Sequence, residues 1–434
     1  MHQHRVIIAG AGLGGLTLAH GLRARGFDVA VYERDPHPDA RSQGYRVQLD
    51  EPGLAGLERC LPEHLFRLGL ATAASPPARV SVRDRHLGTL ADRPTAPGPD
   101  PAGGTARPYR PYRSYAFNRP TLRQILLSGL ADTVRYGAEL LSWEREQDGT
   151  VTARFADGRS ASADLLVGAD GVGSVVRRQL LPHARVEDAG LRLIYGRIPL
   201  DALDAPDAPD APDAPDAPDT GVGGAGGAEA AALPPWVFDS IFTVVTGGPG
   251  SPHVGFGPVR FARPPGAAGP AHTPPVPLTP VGDYVACLVG APADHPAMPS
   301  FEALRGLDGP ALRELAGRLV GDDWHPDVHR LLDRWETDSL FPLRISTASP
   351  VPPWEPGPVT LLGDAIHAMS PVLAMGANTA IRDAAELTRT LAGAAASGAP
   401  LVDGVRDYEL RMREYAFSVV AASRRTGRQR VGQS

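Results

Sequence analysis

Gly10, Gly12 and Gly15 stand in the run Gly10-Ala11-Gly12-Leu13-Gly14-Gly15, and Glu33 follows about twenty residues later. That spacing suits the binding of a dinucleotide. The first glycine permits a tight turn, the second lets the backbone approach a pyrophosphate, and the third lets a helix pack closely on a strand. The N-terminus of the helix that follows would aim its free N–H groups at the phosphates. The carboxylate of Glu33, with Arg34 beside it, can accept both ribose hydroxyls of an adenosine and would repel a 2′-phosphate placed there.

Two further clusters could grip the same ligand. In the last third, Gly363-Asp364-Ala365-Ile366-His367-Ala368-Met369-Ser370-Pro371 is followed by Gly376-Ala377-Asn378. A carboxylate at Asp364, at the end of a strand, suits the hydroxyls of a ribityl chain. The N–H groups of Gly376, Ala377 and Asn378 open a helix and suit an anionic ring edge. Between the two lies Gly168-Ala169-Asp170-Gly171, with Arg177 and Arg178 in the helix after it. Arg41 and Arg46, in a polar loop, and Arg119, just before a helix, can each reach a phosphate. His325 and His329 are four apart, but Pro326 lies between them and no third ligand is evident, so no metal site is expected.

The elements that must hold these residues follow from periodicity. Residues 6–9 form an apolar strand, and a helix runs on to about residue 25 with Leu16, Ala19 and Leu22 on one face and Gly26 as its stop. Residues 28–32 make a second strand. Residues 53–70 read as one helix, 78–90 as strands, and 92–108 as a Pro/Gly-rich loop leading into the arginine–tyrosine run of 107–115. Asn118 or Thr121 can cap a helix over 124–130, with Pro120 near its start. Strands are expected at 134–136, 139–146, 151–155 and 164–167, then a helix over 175–181. Residues 204–219 repeat Asp-Ala-Pro five times and Gly/Ala follows to 232; proline and carboxylate repulsion predict an extended, disordered insertion. Short strands at 236–245, 254–261 and 283–289 precede a helical stretch over 301–335. A strand at 359–362, a helix over 379–391, and a helix with a solvated arginine-rich tail over 403–430 complete the chain.

Composition narrows the class. The 434 residues are 42% hydrophobic and 21% charged, ordinary for a globular enzyme and too apolar for wholesale disorder. There is no lysine, so all 43 basic residues are arginine; with only two asparagines, 49 Gly and 45 Pro, the chain carries the mark of a GC-rich genome. A net charge of -6 leaves no footprint for nucleic acid. Cys60 and Cys287 make neither a disulfide framework nor a thiolate metal cluster. A strand begins within five residues of the start, leaving no room for a signal peptide, and no apolar run approaches the roughly 18 residues a membrane span needs. A cytoplasmic protein is expected.

Taken together, the three motifs resemble those of the FAD-dependent aromatic hydroxylases, the single-component flavoprotein monooxygenases of the p-hydroxybenzoate hydroxylase type, over residues 5–391. The resemblance implies an α/β fold. Its Rossmann-like FAD-binding domain, of the glutathione-reductase type, would take residues 1–70, 115–185 and 340–395. An interleaved β-sheet substrate domain would take 71–114 and 186–339, and a C-terminal helix and tail 396–434. It also implies roles. Gly10, Gly12, Leu13, Gly14 and Gly15 would lie on the pyrophosphate, Glu33 and Arg34 at the adenosine ribose, and Arg46 and Arg119 along the FAD. Asp170 would serve both FAD and the nicotinamide, Asp364 the ribityl chain, and Gly376, Ala377 and Asn378 the isoalloxazine. One departure stands out: many relatives carry glycine where this chain has Ala374.

The implied reaction uses NADPH or NADH to reduce FAD, and O2 then gives a C4a-hydroperoxyflavin that hydroxylates a small aromatic substrate, phenolic or polycyclic and natural-product-like. No nucleophile is required. A base that ionises a phenol would help, and Tyr45, Tyr195 and His253 are open possibilities. An FAD-dependent reductase of an isoprenoid-like substrate and a non-hydroxylating flavin-binding accessory protein are the alternatives. A flavin halogenase is excluded, since its lysine and its W-x-W-x-I-P motif are both missing.

Overall fold

The computed structural model describes residues 3–40, 44–77, 79–94, 114–200 and 233–433. The expectations for Arg41, for the arginine–tyrosine run up to residue 113 and for the Asp-Ala-Pro insertion lie outside the described residues. Five strands form an all-parallel sheet in the spatial order Val359–Leu361, Leu165–Gly168, Arg5–Ala9, Asp28–Tyr32 and Val134–Arg135. Their sequences are apolar runs rather than alternations, as strands covered on both faces require. Val6, Ile7, Ile8, Leu165, Leu166, Val167 and Leu361 are accordingly buried. Helix Leu13–Arg23 packs on the long helix Gly376–Ser397, which also packs on helix Glu51–Cys60. A three-stranded antiparallel sheet, Leu140–Arg145, Val151–Phe155 and Ser160–Ala163, lies against the parallel one.

A seven-stranded sheet runs Phe341–Ala348, Val186–Pro199, Tyr284–Pro292, His253–Val259, Phe242–Thr246, Arg79–Asp84, Thr89–Pro94. It is antiparallel except where Phe242–Thr246 runs parallel to Arg79–Asp84. Alternation decides its two faces. Ile194, Ile198, Val254, Phe256, Val285, Cys287 and Val289 enter a core closed by helices Gly309–Val320 and Pro326–Asp333. Leu193, Tyr195, Tyr284, Ala286 and Leu288 belong to separate clusters.

Several expectations are corrected. The helix expected over 53–70 is two, Glu51–Cys60 and Glu63–Ala71, because Pro62 lacks an N–H and forces Leu61 out of the helical region. The helical stretch at 301–335 is three helices, broken at Gly306 and again between Gly321 and His325. The helix expected at 124 begins at Arg119, where the Asn118 side chain accepts the Thr121 N–H at 2.9 Å. Strands that escaped sequence reading include Ser160–Ala163, Val186–Pro199 and Phe341–Ala348. The last two pair with each other, so Phe341–Ala348 belongs to the seven-stranded sheet.

The largest correction concerns the C-terminus. Residues expected to be a solvated tail belong to a 31-residue helix, Leu401–Val431, that buries Val405, Tyr408, Met412, Ala416 and Val420 at helical spacing. Arg406, Arg411, Arg425 and Arg428 occupy its exposed side. Among the described residues, no helix is long and apolar enough to cross a membrane.

On the buried side of that helix, Glu409 accepts the Thr360 hydroxyl at 2.8 Å. Burial pushes its carboxyl up to about 7, against the opposing pull of the Thr360 bond. The native state therefore holds a proton that the unfolded chain releases near pH 4.5. Stability from this group is full below that pH and is lost as pH rises through 7. Glu409→Gln should leave stability at pH 4 nearly unchanged and raise it at pH 8 by roughly 3 kcal/mol. Thermal unfolding of both proteins across that range checks the sign.

Candidate functional site

Parallel strands deliver their chemistry at the edge where they all end. Ala9 pairs with Tyr32 and with Gly168, and Gly168 with Leu361. The ladder continues one residue further. The Gly10 N–H donates to the Tyr32 carbonyl at 2.8 Å, Ala169 to Ala9 at 2.8 Å, and Leu362 to Gly168 at 3.0 Å. Thus the glycine loop, Glu33, the Asp-Gly turn and the Gly-Asp turn stand in a row, although more than three hundred residues of chain separate the first from the last.

The glycines do different work. Gly10 has φ +105°, and a Cβ there would meet the Ala169 carbonyl oxygen at 2.4 Å. A Cβ on Gly15 would meet the Gly10 oxygen at 2.2 Å. At Gly12 a Cβ would meet nothing within 4 Å, so this glycine faces open space. Leu13 is buried and Gly14 packs on Leu362 and Ala380; what they can offer a ligand is the N–H groups of a helix start that no side chain caps. Glu33 is 5% exposed and accepts the Ala11 N–H at 2.7 Å and the Asp35 N–H at 3.0 Å, fixing the loop's shape. Arg34 is exposed.

Asp170 accepts the Val175 N–H at 2.7 Å through one oxygen, while its other oxygen is buried without a partner. Arg177 donates to the carbonyls of Ala365 at 2.8 Å and Val172 at 2.9 Å, tying the Asp-Gly turn to the Gly-Asp turn. Asp364 is exposed, at the start of the short helix Asp364–His367, and Gly363 before it has φ +61°. Behind that turn, Asp383 is wholly buried. One of its oxygens accepts the Gly363 N–H at 2.8 Å and His367 Nε2 at 2.6 Å; the other accepts the Tyr415 hydroxyl at 2.6 Å. Burial opposes charge on His367, but Asp383 outweighs it and carries the imidazole above its ordinary value.

Helix Gly376–Ser397 starts without a side-chain cap, leaving the N–H groups of Gly376, Ala377 and Asn378 outside its hydrogen-bond ladder. The Asn378 side chain has another task. It accepts the Asp50 N–H at 2.8 Å and donates to the carbonyls of Gln48 and Ala374, each at 3.0 Å, stapling strand Arg46–Leu49 to the helix. Ala374 holds φ +54°, the left-handed conformation a glycine would take, at a cost of about 1 kcal/mol. The turn is therefore kept despite the substitution.

Arg46 crosses to the seven-stranded sheet, donating to the Ile241 carbonyl at 2.8 Å over the Phe242 ring. The Arg119 N–H bonds to the Tyr45 carbonyl at 2.9 Å. Sequence reading overlooked Arg123, whose guanidinium donates to the carbonyls of Ala11 at 3.2 Å and Pro38 at 2.6 Å, with one buried nitrogen unpartnered. Only its place one helical turn after Arg119 hinted at this. Of the possible bases, Tyr45 donates to the Ser339 carbonyl; burial raises the Tyr195 phenol and lowers His253 to about 4, so neither of these two is poised to titrate near neutrality. His325 caps helix Pro326–Asp333, and among the described residues no group of three His, Cys, Asp or Glu could hold a metal.

The residues present fit a dinucleotide cofactor: open space over Gly12, an uncapped helix start, and unpartnered buried atoms on Asp170 and Arg123 all border one edge. The family model described as an FAD binding domain matches residues 3–208 and 332–423. The 3-amino-4-hydroxybenzoate 2-monooxygenase of Streptomyces cremeus is 30% identical over 414 residues, 93% of this chain and 82% of that one. A dual O-methyltransferase/FAD-dependent monooxygenase of Cercospora beticola is 29% identical over 421 residues, 95% of this chain; the chain spans only 44% of that longer relative. The solved structure of 2,6-dihydroxypyridine-3-hydroxylase from Arthrobacter nicotinovorans shares the fold, with a TM-score of 0.69 at 19% identity over all of this chain and 94% of that one. The chain belongs to the FAD-dependent monooxygenase family, and its cofactor is FAD.

Proposed function

We propose that this protein is a cytoplasmic FAD-dependent hydroxylase that uses NADPH or NADH and O2 to place one oxygen atom on a small aromatic substrate. The observation that carries the reading is the row of motifs along one sheet edge, with an apolar wall of the second sheet nearby. In this reading the parallel sheet belongs to a glutathione-reductase-type FAD domain. It is built from the segments around residues 1–70, 115–185 and 349–395, and the seven-stranded sheet belongs to the substrate domain.

The helix start at Leu13, Gly14 and Gly15 holds the pyrophosphate, with Gly12 allowing its approach. Glu33 takes the adenosine ribose and Asp364 the ribityl hydroxyls. The N–H groups of Gly376, Ala377 and Asn378 face the ring, while Arg46 and Arg119 border the ligand and Asp170 serves the nicotinamide as well. When bound, FAD supplies the acceptance of two electrons and the activation of O2 that an oxygen insertion needs. The chain's own part is to orient the substrate and exclude water. Leu193, Leu288, Leu343 and Val372, which pack together around the edge of the second sheet, suit an apolar substrate face.

Two experiments test this. Purified protein should show an oxidised-flavin spectrum that bleaches with NADPH or NADH under argon and recovers in air, with coenzyme and O2 consumed together when an aromatic substrate is present. Flavin that binds but never cycles would reduce the protein to a flavin carrier. Gly12→Ala should leave the unfolding of the FAD-free protein within about 0.5 kcal/mol of wild type, because the new methyl meets no protein atom. Its FAD affinity should nevertheless fall by about tenfold or more. Gly15→Ala should instead destabilise the fold itself, by about 1–3 kcal/mol.

A further inference from the structure

Asp383, His367 and Tyr415 lie outside the edge at which the ligand is expected, yet they converge on the turn that presents Asp364. Asp383 and His367 are fully buried, and Tyr415 is partly buried. A buried carboxylate is stabilised only where donors surround it, and Asp383 has three: the Gly363 N–H, His367 Nε2 and the Tyr415 hydroxyl. Two of these belong to the turn itself. Gly363 precedes Asp364 and His367 closes the same short helix, so one oxygen grips the turn at both ends. The third comes from helix Leu401–Val431, and the Arg382 guanidinium lies 3.8 Å from the centre of the Tyr415 ring. Among the described residues the other His367 ring nitrogen has no hydrogen-bond partner, and Asp383 is the one polar group bonded to the imidazole.

We infer that Asp383, through its shared bond to Gly363 and His367, is the positioning residue that aims Asp364 at the ribityl chain, with Tyr415 holding Asp383 in place from the C-terminal helix. The inference rests on the reading of Asp364 given above. It makes FAD retention depend on a carboxylate that never touches FAD. It also separates the two halves of the cofactor: the ADP half falls to the loop at Gly10–Glu33, to which none of these bonds runs.

The test titrates the flavin-free full-length protein with FAD and, separately, with ADP, following flavin fluorescence quenching and calorimetric heat. Asp383→Asn and His367→Leu should weaken FAD binding about tenfold while ADP affinity stays within about twofold. His367→Gln, which keeps a nitrogen donor near the Nε2 position, should restore FAD affinity to within about threefold of wild type. A general loss of structure would weaken both ligands, and the glutamine would not rescue it. Should Asp383→Asn fail to fold, Tyr415→Phe removes one donor and only a single oxygen atom. It should weaken FAD about threefold with ADP unchanged, and wild-type FAD affinity in that variant would overturn the inference. Asp364→Ala separates the two levels. If it loses FAD affinity while the Asp383, His367 and Tyr415 variants keep theirs, the positioning role is wrong and the reading of Asp364 stands. If Asp364→Ala binds FAD as wild type does, the reading of Asp364 itself is wrong.

Discussion

A parallel sheet gathers polar groups at one edge only, because every strand leaves it in the same direction and must return by a crossover. In this protein the register across Tyr32, Ala9, Gly168 and Leu361 is continued by hydrogen bonds from Gly10, Ala169 and Leu362. A slip of one residue in any strand would turn its side chains over and pull its turn away from the others. The missing Cβ atoms at Gly10 and Gly15 make that register possible, since any side chain there would push the glycine loop off the Asp-Gly turn or off its own helix.

The carboxylates at and behind this edge divide by their surroundings. Glu33 and Asp383 are buried and surrounded by N–H and O–H donors, so they shape backbone. Asp364 is exposed, and Asp170 keeps one oxygen unengaged. Arg177 bonds carbonyls on both the Asp-Gly and Gly-Asp turns and so sets their spacing. Residue type alone did not separate these roles. Burial and donor count did.

What could be read in the sequence was whatever local chemistry dictates. The glycine loop, the first two strands and the helix between them were legible because Gly10, Gly12, Gly15 and Gly26 punctuate apolar runs of the right length. The strand Val186–Pro199 was not, since its inward residues are interrupted by Gly190 and Gly196 and its pairing partners lie some ninety and one hundred and fifty residues away. The burial of helix Leu401–Val431 was masked by arginines that cover only its outer side. Asn378 was legible as a motif residue, but its side chain could not be assigned without knowing that Gln48 and Asp50 lie beside it. For the same reason Asp383 was not singled out, and His367 stood only as one residue of the Gly-Asp motif.

The interleaving has a consequence for synthesis. The strand Leu165–Gly168 has no outer neighbour until Val359–Leu361 leaves the ribosome, and the helix Leu401–Val431 emerges later still. At ordinary elongation rates the interval between these two strands is on the order of tens of seconds. For that time an apolar parallel strand is an open edge, able to pair with the same edge on another nascent chain. A fold whose contacts span so much sequence also closes slowly once released. Yield in a foreign host should therefore be governed less by the native state's stability than by how long that half-built sheet stays uncovered.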